Sequence, residues 1–159
     1  MPTSHTDDVV AIGRLQAAYA DVVTRRAWAE LGELFLPSAQ VIVDTVTAPP
    51  VSLDGPDELG AFIGGAVERF DHFQFVILNA AIDLATDGDP DSARGRIFMC
   101  EIRHTTSGEW STAYGLYQDD YRREDGAWKI AGRRYRSLAR TGANEGVFGI
   151  PTDLPPFSR

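Results

Sequence analysis

The sequence predicts an α+β fold in which three N-terminal helices pack on one face of a strongly curved antiparallel sheet. Two patterns support this prediction. In three stretches before residue 68, apolar side chains recur at steps of three and four, which is typical of helices with one buried side. From residue 72 to residue 138, four strand-like runs follow one another through short turns, which favours an antiparallel meander. Such a sheet needs a layer of helices on one face to form a core.

Length and charge restrict the possible functions. The 159 residues suffice for one domain, and 43% hydrophobic with 24% charged residues are typical of an ordered globular chain. Fifteen basic and 23 acidic side chains give a net charge of −8, which would repel nucleic-acid phosphates and an anionic membrane surface. The single cysteine, Cys100, excludes an internal disulfide, and the N-terminus lacks the features of a secretion signal. We therefore expect a cytoplasmic protein with no nucleic-acid or membrane partner.

The first two helices are predicted in the first 37 residues. Ser4 or Thr6 can cap the first helix, and two aspartates suit the positive end of its dipole. Its apolar side is formed by Ile12, Leu15, Tyr19 and Val22 or Val23. The second helix is short and ends at Pro37. Its buried side is formed by Trp28, Leu31, Leu34 and Phe35.

The third helix starts at Gly55-Pro56-Asp57-Glu58, where proline and acidic residues occupy the first turn. A strand over residues 39–46 precedes it and is broken by two prolines. The meander consists of residues 72–84, 93–104, 110–122 and 128–138. Residues 1–140 are thus predicted to form one domain, and residues 141–159, with three glycines and three prolines, an irregular tail.

Three groups of residues carry a resemblance to a known family. They are Tyr19 with Trp28 and Leu34-Phe35, then Gly115-Leu116-Tyr117-Gln118-Asp119, then Asp125-Gly126-Ala127-Trp128-Lys129-Ile130 with Arg134. In this order and spacing, over about residues 8 to 138, they resemble the SnoaL-like branch of the nuclear-transport-factor-2-like superfamily. The resemblance implies a cone-shaped α+β barrel whose open end holds a hydrophobic pocket. It also implies relatives such as scytalone dehydratase, ketosteroid isomerase and polyketide cyclases, chemistry without a cofactor, and a homodimer.

In the family's dehydratases, a tyrosine of the first helix, an aspartate five residues on and a histidine of the first meander strand form the acid–base set. The tyrosine position matches Tyr19, which would donate a hydrogen bond to a substrate oxygen or else be a core residue. The aspartate position falls on Thr24 and the histidine position on Phe75. Neither can act as a base near neutral pH, so the Asp–His pair is absent. Both are candidates for contact with substrate, although Thr24 could instead cap the second helix.

Two other residues are candidates for the missing base. Asp44 ends an apolar strand, close to where ketosteroid isomerase carries its base, so it could be a general base in the pocket. Alternatively, Asp44 is a carboxylate at the end of the strand that faces water. His104 has an unperturbed pKa of about 6.5, which suits proton transfer, but it could also lie at the surface near a turn. No two of the three histidines have metal-ligand spacing, so no metal is expected.

A polar cluster is predicted on the last two meander strands. Tyr117 and Asp119 share a strand face, and a tight turn at Asp125-Gly126 would bring Arg134 beside them. An Asp119–Arg134 ion pair beside the Tyr117 phenol could bind an oxyanion or a carboxylate, or it could be a structural salt bridge. Arg133 stands out only as one of four arginines between residues 133 and 140, which strand alternation distributes over both faces.

These candidates predict a small-molecule enzyme that isomerises, cyclises or dehydrates a hydrophobic, oxygenated ring compound such as a polyketide, steroid or terpenoid. Tyr19 would donate to the substrate oxygen, and Asp44 or His104 would move the proton. Two alternatives remain open: a binding module without catalysis, and an accessory subunit like the small β subunits of ring-hydroxylating dioxygenases. The apolar tail would close the pocket mouth or pack on a neighbouring subunit.

Overall fold

The computed structural model describes residues 4–158, and within them the predicted α+β class is confirmed. The helices are α1 (His5–Arg25), α2 (Leu31–Leu34) and α3 (Gly55–Val67), with 3-10 turns at Trp28–Glu30 and Thr86–Gly88. The strands are β1 (Phe35–Asp44), β2 (Val51–Asp54), β3 (Phe70–Leu84), β4 (Ser92–Thr105), β5 (Trp110–Glu124), β6 (Ala127–Thr141) and β7 (Gly146–Val147). No helix in the described part of the chain is long and apolar enough to cross a membrane.

Helix α1 forms where its caps and apolar stripe predict it. The Ser4 hydroxyl accepts a hydrogen bond from the Asp7 amide, and the Asp7 side chain accepts one from the Ser4 amide, so that two free donors of the first turn are satisfied. Arg26 adopts a left-handed conformation and ends the helix. The buried side of α1 packs mainly on β3 and contributes Tyr19 to the core.

The sheet has the order β2-β1-β6-β5-β4-β3, and β7 adds to β6. Strands β3 to β6 form the predicted antiparallel meander, but the prediction of a wholly antiparallel sheet is wrong because β1 runs parallel to β6. A parallel pair needs a long crossover, and here the crossover consists of every element between the two strands. Strand β1 also starts earlier than predicted. Pro37 is tolerated there because β1 and β6 lose register between Phe35 and Gln40.

The two faces of the sheet have different roles. Odd-numbered residues of β4 and β5 point inward, toward α1 and the core, as the buried Met99 and Tyr117 show. Even-numbered residues of these strands lie on the outer face. Leu116 is among them, yet none of its surface is exposed, so another segment must cover it.

That segment is the C-terminal strap, residues 146–158. The Phe148 amide donates to the Leu138 carbonyl of β6, and the Pro155 carbonyl accepts from Arg96 of β4. Because β5 lies between β6 and β4, the strap crosses the outer face of β5 at the level of Leu116. Within residues 141–158 of the tail, only Ala143 and Asn144, which precede the strap, reach the cavity described next.

Candidate active site

A cavity of about 560 Å³ lies between the inner face of the sheet, α1 and α3. This volume is in the range that binds small organic molecules. Its apolar walls are formed by Val23, Val41, Leu59, Phe62, Ile63, Phe70, Phe73 and Phe75. The apolar part of the wall suits a ring compound, and the polar residues of the lining determine what chemistry the cavity supports.

The buried pair Arg133–Asp119 is the strongest polar feature beside the cavity. Arg133 Nε and Nη2 donate to the two carboxylate oxygens of Asp119, each at 2.7 Å. Asp119 also accepts from the Tyr121 hydroxyl at 2.8 Å, and Tyr121 in turn accepts from Gln16 of α1 at 2.9 Å. Burial alone would lower the pKa of Arg133, but the adjacent Asp119 charge raises it, so the guanidinium stays charged.

One nitrogen of Arg133 is left without a partner among the described residues. Its Nη1 atom lines up with no acceptor among the described residues, although the side chain is 1% exposed and lines the cavity. A buried donor without a partner costs about 1–3 kcal/mol, so native proteins rarely keep one without a functional reason. Because Asp119 fixes Nε and Nη2, Nη1 is the guanidinium nitrogen that a ligand oxygen would have to approach.

Two tyrosines flank this guanidinium. Its carbon lies 4.1 Å from the ring centres of both Tyr19 and Tyr117, and the two hydroxyls are 3.4 Å apart. Burial raises the pKa of both phenols, and the Arg133 charge opposes that rise without cancelling it. Both hydroxyls are therefore protonated at neutral pH and act as hydrogen-bond donors rather than bases. Phe75 completes the aromatic group: its ring stacks on Tyr117 and meets Tyr19 edge-on.

Carboxylates reach the cavity from the other side. Among the described residues, Glu101 and Glu109 are the acidic residues of its lining. Glu101 lies on β4 directly opposite Phe75, and its Oε2 atom accepts from Arg103 Nε at 3.0 Å. The other oxygen, Oε1, makes no hydrogen bond to a described residue.

The structure brings together three of the residues named from the sequence: Tyr19, Phe75 and Tyr117 all line the cavity. Asp119 lies behind them, where it holds Arg133. Thr24 does not line the cavity, because its hydroxyl accepts from the Phe75 amide at 3.0 Å and ties α1 to β3. Thr24 thus neither caps the second helix nor faces a ligand, and its predicted substrate contact has no support in the geometry.

The predicted Asp119–Arg134 ion pair is wrong by one residue. The Asp125-Gly126 turn sets Tyr121 opposite Ile130 as expected, but β6 then carries one extra residue, Ala131. After this bulge Asp119 lies opposite Arg133, which faces inward, while Arg134 faces outward.

The two candidate bases also lie outside the cavity lining. Asp44 is on the outer face, where its carboxylate pairs with Arg136 at 2.8 Å. His104 is on the outer face of β4; its Nδ1 is 2.5 Å from Asp71, and its ring packs on Trp110. The residues that sequence reasoning passed over are Arg133 and Glu101. Glu101 could have been found from strand alternation, because it lies on the same face of β4 as Met99. Arg133 could not, because its inward position depends on the bulge at Ala131.

Comparison with known proteins relates this geometry to a family. The family model described as SnoaL-like domain matches residues 4–134. Comparison with curated protein sequences finds no match. A solved structure assigned provisionally as a scytalone dehydratase, from Novosphingobium aromaticivorans, has 22% identity and a TM-score of 0.76, with 95% of this chain and 97% of that chain covered.

Two further solved structures have the same fold. Hexachlorocyclohexane dehydrochlorinase LinA-type3 from Novosphingobium barchaimii has 18% identity and a TM-score of 0.74, with 92% of this chain and 97% of that chain covered. A provisionally assigned aromatic ring hydroxylase from Novosphingobium aromaticivorans has 20% identity and a TM-score of 0.73, with 89% and 96% covered. At these identities the likeness concerns the fold. Since the family model covers most of the chain, this protein belongs to the SnoaL-like domain family.

Proposed function

We propose that this protein binds a hydrophobic, oxygenated ring compound in the inner cavity and catalyses a proton transfer on it without a cofactor. The net reaction would be an isomerisation, a cyclisation or a dehydration. The observation that carries this proposal is the buried Nη1 atom of Arg133, which has no hydrogen-bond partner among the described residues and belongs to a guanidinium flanked by two protonated phenols at the cavity wall. The dehydratase and dehydrochlorinase assignments of structural neighbours support this reaction type.

The donor group would bind the ligand oxygen and stabilise negative charge on it. Removing a proton from carbon beside a carbonyl leaves an enolate, whose charge resides mainly on oxygen. Arg133 Nη1 and the hydroxyls of Tyr19 and Tyr117 would supply donors to that oxygen from buried side chains. Asp119 already compensates the Arg133 charge before a ligand reacts. The hydrogen bonds from the donor group would therefore strengthen most when negative charge develops on the ligand oxygen during the reaction.

Glu101 is the residue we assign as proton acceptor. Asp119 cannot fill this role, since both of its oxygens are occupied by Arg133 and Tyr121. Asp44 and His104 point away from the cavity. Glu101 faces the cavity with one oxygen unbonded, and Arg103 would hold its other oxygen in place.

Deuterium exchange tests this function without knowledge of the natural substrate. A panel of two- and three-ring cyclic ketones is incubated with the protein in D₂O, and exchange of the hydrogens next to the carbonyl is followed by NMR. We expect the protein to accelerate exchange of at least one ketone that binds, and Glu101→Gln to abolish this acceleration while binding is retained. Glu145→Gln, an exposed carboxylate outside the cavity, is the matched control and should exchange at the wild-type rate.

One observation favours a second candidate, a binding module of the same fold. Glu101 is engaged in an ion pair with Arg103, which could hold this base too firmly for it to react. Phe75, which cannot act as a base, occupies the position of the family's histidine. In that case ketones would bind with loss of affinity in Tyr19→Phe, but no exchange above the uncatalysed rate would occur. Exchange that depends on Glu101 would exclude this candidate.

A further inference from the structure

A second cavity, of about 510 Å³, lies on the opposite face of the sheet from the candidate active site. Its floor is the outer face of β6, β5 and β4, with Gly132 at a place where no side chain fills the space. Pro155 and Phe157 of the C-terminal strap form one side. Sheet and strap together therefore enclose a space that neither would form alone.

Arginines dominate the rim of this outer cavity. Arg134 and Arg96 lie on one row of the sheet, on either side of Gln118, and Arg94 lies on the next row. Arg134 makes no hydrogen bond or ion pair within residues 4–158. Arg96 donates to the Pro155 carbonyl and stacks on the Phe157 ring. Among the described residues, neither Arg134 nor Arg96 has a carboxylate partner, so both positive charges lie beside the cavity without an ion pair.

The negative groups near the cavity are few. Asp83 pairs with Arg94 at 3.0 Å, and Asp119 points to the inner face, where it holds Arg133. Asp120 is the remaining carboxylate of the lining and forms no ion pair. Two charged guanidiniums against one carboxylate leave a local positive excess in a chain whose net charge is −8. The side-chain amides of Gln40 and Gln118 add donors without internal partners.

We propose that the outer cavity is a binding site for a small organic anion, with a carboxylate or phosphate group held by Arg134 and Arg96. Guanidinium groups recognise both kinds of anion through paired N–H donors. Phe157 and Ile42 supply apolar surface for the rest of the molecule. Asp120 would disfavour a highly charged ligand, so the site suits one anionic group on a small body rather than a polyphosphate.

Titration with two probes tests the site. Benzoate and phenyl phosphate are added at constant ionic strength, and binding is followed by NMR chemical-shift changes of the backbone amides. We expect saturable shifts in residues 131–134 and in Leu154 and Phe157 for at least one probe, and at least a tenfold weaker affinity in Arg134→Gln and in Arg96→Gln. Arg122→Gln removes an exposed arginine away from the cavity and should bind as the wild type does.

Four results would overturn the proposal. Shifts that grow linearly with probe concentration would show a salt effect only. Equal weakening by Arg134→Gln and Arg122→Gln would show a general charge effect. Shifts confined to the inner cavity, around Tyr19 and Tyr117, would show that the anion binds at Arg133 instead. A dimer in which the outer cavity is covered and no probe binds would likewise contradict it, and sedimentation of the same samples reports that state.

Discussion

The Arg133–Asp119 pair is the residue-scale feature on which the inner cavity depends. Both side chains are almost fully buried, with 1% and 0% of their surface exposed, so each charge relies on the other. Breaking a buried pair by removing one partner costs more than the pair contributes, because the remaining charge stays in a medium of low polarity. The pair therefore makes an arginine possible in the core and leaves its Nη1 nitrogen without a partner among the described residues.

Asp119→Asn tests this dependence. We expect a loss of about 3–5 kcal/mol in the free energy of unfolding, because a buried guanidinium is left without its counter-charge. Urea denaturation followed by tryptophan fluorescence measures it. The matched control is Asp44→Asn, whose partner Arg136 is partly exposed, and it should cost about 0–1 kcal/mol. Similar losses in the two variants would contradict a special role for the inner pair.

The pH dependence of the buried tyrosines gives a second test. Burial raises the pKa of Tyr19, Tyr117, Tyr121 and Tyr135 above the ordinary value of 10. A group whose pKa is raised by folding stabilises the native state fully below its unfolded pKa and loses that contribution as pH rises toward the folded value. Stability should therefore fall above pH 10, and tyrosinate absorbance from these four residues should appear only with unfolding. Their ionisation in the folded protein near pH 10 would contradict the buried site.

Tyr19→Phe and Tyr117→Phe test the donor role at the same scale. Each change keeps the ring packing and removes one hydroxyl, so the fold should be retained. If the hydroxyls stabilise developing charge, each variant should exchange a bound ketone about a hundredfold more slowly. Tyr114→Phe, on the outer face of β5, is the control and should leave exchange unchanged. Equal rates in all three variants would remove both phenols from the mechanism.

At the scale of elements, the contact between the Tyr135 side chain of β6 and Gly115 of β5 affects the size of the cavity. A Cβ atom at Gly115 would lie 2.2 Å from Tyr135 Cε2 and 2.8 Å from Met99 Sδ. Glycine at this position therefore lets the Tyr135 ring lie against β5. The Tyr135 hydroxyl lies 3.1 Å from that of Ser137, another residue of the cavity wall.

Gly115→Ala should push the Tyr135 ring into the cavity and reduce its volume. We expect three-ring ketones to lose at least tenfold in affinity and two-ring ketones to lose less, as measured by isothermal titration calorimetry. Gly65→Ala is the control, because a Cβ there meets no neighbouring atom within 4 Å and should leave both affinities unchanged. An equal loss for large and small ketones would show that the ring does not move into the cavity.

The elements also show how far sequence patterns reach. Helix α3 and the four meander strands were predicted within a few residues, because capping residues, turn signals and alternation are local. The Asp-Gly turn even fixed the register as far as Tyr121 and Ile130, since both turn residues adopt positive φ. The parallel pairing of β1 with β6 was missed, because no local signal joins strands so far apart in the chain.

The candidate site was predicted less completely for the same reason. Tyr19 and Tyr117 followed from periodicity and from the family resemblance. Arg133 did not, because one bulge at Ala131 exchanges which of two adjacent arginines faces the core. Asp44 and His104 were attractive as bases by chemical type, but alternation along β1 and β4 turns both outward.

At the scale of the whole molecule, the strap covers part of the outer face of the sheet, including Leu116. The homodimer that the family resemblance implies stays a prediction. Deleting residues 146–158 should expose Leu116 and remove one wall of the outer cavity. We expect lower stability and self-association on analytical ultracentrifugation, with ketone affinity of the inner cavity within about threefold of wild type. Val147→Ala is the control, because it changes a strap residue that is 85% exposed and should leave Leu116 covered. Loss of ketone binding on deletion would instead indicate that the strap acts on the inner cavity.

A crystal structure with the best-binding cyclic ketone tests the central claim most directly. The account predicts the ketone oxygen within about 3.2 Å of Arg133 Nη1, next to the hydroxyls of Tyr19 and Tyr117, and the hydrogens beside the carbonyl facing Glu101. A ketone bound with its oxygen toward the cavity mouth, and Nη1 facing only the apolar part of the ring, would contradict it.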